Sequence, residues 1–249
     1  PMPFAQPDTN DFPTLSPAQI AAARSRLYAL FAALYRQGLT ADLLPALAAL
    51  PGLAELLTDP FDGDEAAAGH FRLFGMEIPP HASLFLDPAG LLGGPVAEDA
   101  ATFYARVGFA PDPAASGPDA LSEALGLLAF LAGAEADAWE DGKAPIARRM
   151  ADLQAEFLAG HLLPWLPPLV LAVQAEESPF YSALAQLTLE LTAEQLAHRT
   201  RTTPSEPSAP DFIREDPLNP RHPRSSSDLL KDESTGLREI AGYLTSPPR

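Results

Sequence analysis

From residue 121 to residue 139 the chain repeats its apolar residues at helical spacing. Leu121, Leu125, Leu128 and Leu131 with Ala132 form one seam that reaches Trp139. Intervals of three and four residues gather side chains on one face of an α-helix but scatter them over both faces of a strand. The same spacing recurs in Ile20, Ala23, Leu27, Leu30, Phe31 and Leu34, behind a Ser16 cap and Pro17 and ahead of a Gly38 stop. It returns in Tyr181, Leu184, Leu187, Thr188 and Leu191 behind Ser178. Further helices are predicted over 40–50, 52–57, 62–74, 95–107 and 144–163, and the seam helix is expected to start at Ser116 and Pro118. Alternation of period two is nearly absent. Such a chain is expected to be all-α, a single compact many-helix bundle.

Composition shifts divide the chain. Residues 1–15 read as a loose polar arm, 16–198 as the helical body, and 199–249 as a Pro/Ser/Arg-rich tail. Within the tail, residues 234–244 recover an amphipathic helix with Leu237, Ile240 and Leu244 on one face. The net charge of −17 is unevenly placed: residues 1–198 hold 8 Lys/Arg against 25 Asp/Glu, while residues 199–249 hold 8 of each. A body this acidic repels nucleic-acid phosphates and attracts cationic partners.

The chain has no cysteine, which removes disulfides, thiolate metal sites and thiol nucleophiles together. With no export leader in view, that composition suggests a cytoplasmic protein. The longest apolar run, residues 161–173, is shorter than a membrane span and holds three prolines. There is no phosphate-loop signature, no H-E-x-x-H and no G-x-S-x-G. His70, His81, His161, His198 and His222 show no i, i+4 pairing, so each is expected to serve as a local hydrogen-bonding group. Nothing in the residues points to catalysis.

One stretch breaks the helical pattern. "IPPHASLFLDPAGLLGG" (78–94) sets two prolines together, follows them with an apolar run and closes on glycines. Around it stand ordered blocks: "FRLF" (71–74), "PPHASLFLD" (79–87), "FYARVGF" (103–109), "PDALSEALGLLAFLA" (118–132), "EFLAGHLLPWLP" (156–167) and "SPFYSALAQLT" (178–188). This order resembles the TorD/DmsD/NarJ family of redox-enzyme maturation chaperones, over about residues 27–196. The resemblance implies an all-helical, cytoplasmic, non-catalytic protein that carries no cofactor. It also implies the partner: the twin-arginine leader, and the body, of a molybdopterin-containing catalytic subunit, held until its cofactor is inserted. A monomer is the default, with a dimer as the alternative.

Carried over by position, the family's leader-binding surface falls on Pro80, His81, Ser83, Phe85 and Asp87 of the loop and on Pro118 and Asp119 of the helix start. His81 stands where one branch of the family has an aromatic residue, and Ala120 where a histidine is expected. The residues themselves are compatible with this use. Between 73 and 142 there is one basic residue, Arg106, against eleven acidic ones, among them Asp87, Glu98, Asp99, Asp119 and Glu123. Leu84, Phe85 and Leu86 lie among them. Glu123 therefore joins the candidate peptide-binding set. Asp119 is expected in the first turn of its helix, where a carboxylate also favours the dipole. Phe71, Leu73 and Phe74 are expected in the core, and His161 and Trp165 as packing between the last helices. The alternative to a chaperone is a non-catalytic helical scaffold that docks a partner through residues 234–244.

Overall fold

Ser16 opens the first long helix, α1 (Pro17–Gln37), with a reciprocal cap. Its hydroxyl accepts the Gln19 N–H at 3.2 Å while its own N–H donates to Gln19 Oε1 at 2.8 Å. Gly38 ends the helix at φ 78°, and a Cβ there would fall 2.8 Å from the His70 ring. The computed structural model describes residues 15–111 and 117–202. Of the loose arm predicted over 1–15 only Leu15 is described, and the tail helix predicted at 234–244 lies outside the described residues. The bundle's last helix, α10 (Pro179–Thr202), overruns the predicted limit of the body at 198.

Among the described residues all regular structure is helical. After α1, a 3-10 turn at Ala41–Leu43 runs into α2 (Leu44–Leu47), which ends short of the limit predicted for the 40–50 helix, and α3 (Pro51–Ala54) takes the place of the short turn predicted over 52–57. Pro45 and Pro51 lack the N–H that a continuing helix requires, so each sits at a first turn instead. Then follow α4 (Gly63–His70), α5 (Ala82–Leu86), α6 (Gly94–Val107), α7 (Leu121–Glu140), α8 (Ala144–Phe157), α9 (Leu166–Gln174) and α10.

Two helices run on into wider turns. Residues Phe71–Glu77 extend α4, with Ile78 N donating to Leu73 O at 2.7 Å, and Leu158–Leu162 extend α8, with Leu163 N donating to Leu158 O at 2.9 Å. The extra residue per turn rotates the faces. Leu73 and Phe74 stay buried as expected, but Phe71 is turned out and is 63% exposed.

The bundle is built around α7. It lies antiparallel to α1, shown by cross-contacts that run in opposite order: Arg24 with Glu135, Ser25 with the Ala129 carbonyl, Arg36 with Glu123. Leu121, Leu125, Leu127, Leu128 and Leu131 are all essentially inaccessible, so α7 is covered on several sides. Aromatic packing closes the ends: Phe74 meets Tyr35, His70 and Tyr181, while Phe103 meets Phe157.

A polar chain threads this apolar interior. Arg24 and Gln154 both donate to Glu135 Oε2 at 2.8 Å. Gln195 Nε2 donates to Gln154 Oε1 at 2.8 Å, and Tyr28 OH donates to Gln195 Oε1 at 2.5 Å. One network thus joins α1, α7, α8 and α10, and buried polar groups that are satisfied in this way fix a single packing register.

Glu123 is fully buried, and Arg36 reaches it at 2.7 Å from the last turn of α1. Removing one partner of such a pair strands a buried charge. Arg36→Ala is therefore expected to lower unfolding stability by about 3 kcal/mol, measured by urea denaturation at neutral pH.

Candidate functional site

The helix-breaking segment crosses the start of α7 as a strand-like rung. His81 and Ala120 face each other as an isolated antiparallel bridge. Ala82 N donates to Asp119 O at 2.9 Å, and Leu121 N donates to Pro80 O at 2.8 Å. Pro80 donates nothing to this pairing, and its ring is buried against the body. The adjacent prolines keep the chain extended here because each fixes its own φ and biases the residue before it away from helix.

Asp119 fastens the crossing. Its carboxylate accepts the Ser83 N–H at 3.1 Å and the Ser83 hydroxyl at 2.5 Å, while His81 Nδ1 lies 3.4 Å from the other oxygen. An ionised carboxylate can only accept, so the imidazole donates from Nδ1. Burial alone would raise the Asp119 pKa, but the hydrogen bonds from His81 and Ser83 outweigh it and hold the group at about 2. Asp119 therefore belongs to the extended rung, not to the helix: α7 starts at Leu121, with Ala120 as its non-helical cap. The expected first-turn dipole role gives way to a tertiary one, because the Ser83 donors come from another element.

The clamp reaches further through its partners. Ser83 Oγ also accepts the Gly93 N–H at 3.0 Å, which draws the glycine pair back over α5. Tyr104 OH donates to Pro118 O at 2.7 Å. Burial, together with the Glu123 and Asp119 carboxylates, pushes the Tyr104 phenol well above its usual range. Gly117 has φ 138°, and a Cβ on it would lie 3.2 Å from Asp119 Oδ1, so this position favours glycine on conformation and space together. Asp87 ends α5 and accepts the Ala89 N–H at 2.7 Å, holding the turn that follows.

Beside the clamp lies a cavity of about 420 Å³. Leu86, Val96, Ala100, Tyr104, Phe157 and Trp165 wall it, with Asp119 and Pro118 on one side and Asp99 on another. The Trp165 indole is buried, donates to His161 O at 2.7 Å and stacks on Phe85 with ring centroids 5.8 Å apart. His161 stacks on Phe157 and approaches Asp99 at 3.3 Å, where the carboxylate is largely exposed. Leu86, Leu91 and Leu92 stand exposed on the segment that leads from the cavity wall into α6. Arg106 lies over the Phe103 ring and pairs with Glu156 at 2.7 Å.

The residues singled out in the sequence thus separate. Pro80, His81, Ser83, Pro118 and Asp119 come together as the clamp, and Phe85 and Asp87 ride on α5 beside it. Glu123 does not join them: it is buried and turned to Arg36, so its carboxylate is a link within the bundle. His161 and Trp165, expected as packing between the last helices, turn their rings to Phe103 and Phe157 and to Phe85 respectively, and both line the cavity. Asp99 and the leucines of the "GLLGG" turn are the members that sequence reading undervalued. The available signal was two adjacent leucines in a turn, where a solvent-facing loop is ordinarily polar. Among the described residues, no cluster of three His, Asp or Glu is placed to hold a metal.

Asp119 sets an acid limit. Its folded pKa lies below the unfolded value of 3.8. It therefore stabilises the fold above about pH 4, and that contribution is lost as pH falls towards 2. Wild-type protein is expected to lose about 2 kcal/mol over that interval that Asp119→Asn does not lose, as read from urea unfolding at pH steps between 2 and 5.

No single helix among the described residues is long and apolar enough to cross a membrane, although the bent pair formed by α8 with its extension and α9 reaches that composition. A family model described as the nitrate reductase delta subunit matches residues 40–170, more than half of the chain and all of the cavity's walls. No curated protein and no solved structure matches the chain. Helical architecture, the clamped proline segment and this match converge: the chain belongs to the nitrate reductase delta subunit family, the NarJ/TorD-type redox-enzyme maturation chaperones.

Proposed function

We propose that this protein is a cytoplasmic chaperone that binds the twin-arginine leader of a molybdopterin-containing catalytic subunit and holds that subunit until its cofactor is in place. One observation carries the reading: an open, apolar-walled cavity with carboxylates on its wall and rim and exposed leucines beside it, on an acidic body. A twin-arginine leader is two guanidinium groups followed by an apolar stretch, and each part finds a counterpart here.

The apolar stretch lies along Leu86, Leu91 and Leu92 and enters the cavity towards Trp165. An apolar segment in a groove contributes through area. The arginines meet Asp87, Glu98 and Asp99, whose pairing fixes direction more than strength, since exposed ion pairs contribute only ~0–1 kcal/mol each. Asp119 acts differently. It accepts three donors from Ser83 and His81 and is buried, so it positions α5 and the glycine turn. Pro80, Pro118 and Ser83 share that framing role, while Phe85 braces the Trp165 wall. His81, at 6% exposure, shapes the floor from behind and is not the aromatic platform that a surface residue would supply.

Titration calorimetry with twin-arginine leader peptides tests the reading. Leu86→Asp/Leu92→Asp is expected to weaken binding at least tenfold, about 1.4 kcal/mol, with unchanged helix content. Asp99→Lys is expected to weaken it severalfold at low salt and less at high salt. If neither a leader peptide nor an intact molybdoenzyme subunit binds the wild-type chain, the proposal fails.

A further inference from the structure

A second groove, about 580 Å³, lies among α1, α7, α8 and α10 and shares no residue with the first cavity. Pro17, Ile20, Trp139, Ala151, Ala155 and Leu191 give it an apolar wall, and the Arg24–Glu135–Gln195 part of the buried network forms its polar side.

Three features describe what would fill it. Ile20 is 48% exposed on the lining face of α1, so the wall offers apolar area to a partner. The Arg24 Nε is buried and has no hydrogen-bond partner among the described residues, although the rest of the network is satisfied around it. Arg148, also on the lining, makes no ion pair among the described residues. An occupant therefore needs an apolar stripe and a carboxylate on the same side.

The chain supplies such a segment. Pro17 lines the groove near one end of the described chain; His198 and Arg199 line it near the other, a turn before Thr202. Residues 203–249 continue directly from there. In a helix over 233–244, Glu233, Leu237, Ile240, Ala241 and Leu244 fall on one stripe. Twelve residues of helix span about 18 Å. Thirty residues, 203–232, lie between, and a chain of that length spans at most about 100 Å when fully extended, ample to turn back onto the helix it left. At that tether length the local concentration is on the order of millimolar.

We propose that residues 233–244 dock as an amphipathic helix in this groove of their own chain. Leu237, Ile240 and Leu244 cover Ile20, Trp139 and Leu191, and the Glu233 carboxylate faces Arg24 and Arg148. The site is independent of the leader cavity and does not rest on the proposed leader binding.

Trp139 reports on it. The chain has two tryptophans, and Trp165 is buried in the body, so acrylamide quenching of the full chain reads Trp139. Full-length wild type is expected to be protected. Leu237→Asp/Ile240→Asp, and separately Ile20→Asp, are expected to raise the quenching constant at least threefold with unchanged circular dichroism. A synthetic peptide of residues 228–249 should restore protection to the tail variant but not to Ile20→Asp. Equal quenching in wild type and both variants would overturn the proposal. So would protection that disappears on dilution as a dimer dissociates, since that places the tail in a second copy's groove.

Discussion

The Asp119 carboxylate is the point on which the site's geometry turns. It collects two donors from Ser83 and one from His81, and through Ser83 it also sets Gly93. Without an acceptor there, a segment that opens on two prolines has few means of attaching to a helical bundle, because its prolines donate no backbone hydrogen bonds. The rung between His81 and Ala120 supplies two backbone bonds, and the carboxylate supplies the rest. The two departures from the family pattern meet at this rung. These are Ala120 and His81, which face each other across it. The imidazole is thus present on the opposite strand, and it serves the carboxylate next to Ala120.

A second constraint acts on the bundle as a whole. α7 is covered on several sides by leucine and alanine, and apolar packing alone specifies the rotation of such a helix weakly, since many registers bury similar area. The network from Arg24 through Glu135, Gln154 and Gln195 to Tyr28 removes that freedom. Each misregister strands at least one buried polar group, at about 1–3 kcal/mol. Arg36 with Glu123 does the same at the other end of the α1–α7 pair. Polar contacts therefore choose the arrangement that the apolar contacts stabilise.

This division explains what the sequence disclosed. The long helices were legible because spacing and caps are local: Ser16 with Gln19 and Pro17, Gly38 at its positive φ, the Leu121 seam. The wider turns were not, since a run such as Phe71–Glu77 keeps nearly helical spacing while rotating Phe71 out to solvent. Asp119 was named as a binding-surface carboxylate and expected in the first turn of its helix, and the fold corrects the second reading. A carboxylate near a predicted helix start reads as a dipole partner, whereas its donors include Ser83, 36 residues away. Glu123 shows the same limit, since only the fold could reveal that Arg36 reaches it. The role of Trp165 and His161 in the cavity wall was hidden because packing and lining use the same residue types.

The acidity of the body is therefore not one property. Asp119, Glu123 and Glu135 are buried and engaged by Ser83, Arg36, Arg24 and Gln154, so they hold the fold and present little charge outward. Glu98 and Asp99, by contrast, stand exposed at or beside the cavity rim, with Asp87 half-buried nearby. Charge at a rim acts mainly on encounter and orientation and fades with salt, whereas apolar contact inside a cavity acts on dissociation. A receptor whose rim is acidic and whose wall is apolar can thus sort its ligands in two steps. A cationic head is drawn in, and it is retained only if an apolar segment of the right length follows. Net charge read from composition mixes the buried structural carboxylates with those exposed at the rim, and burial separates them.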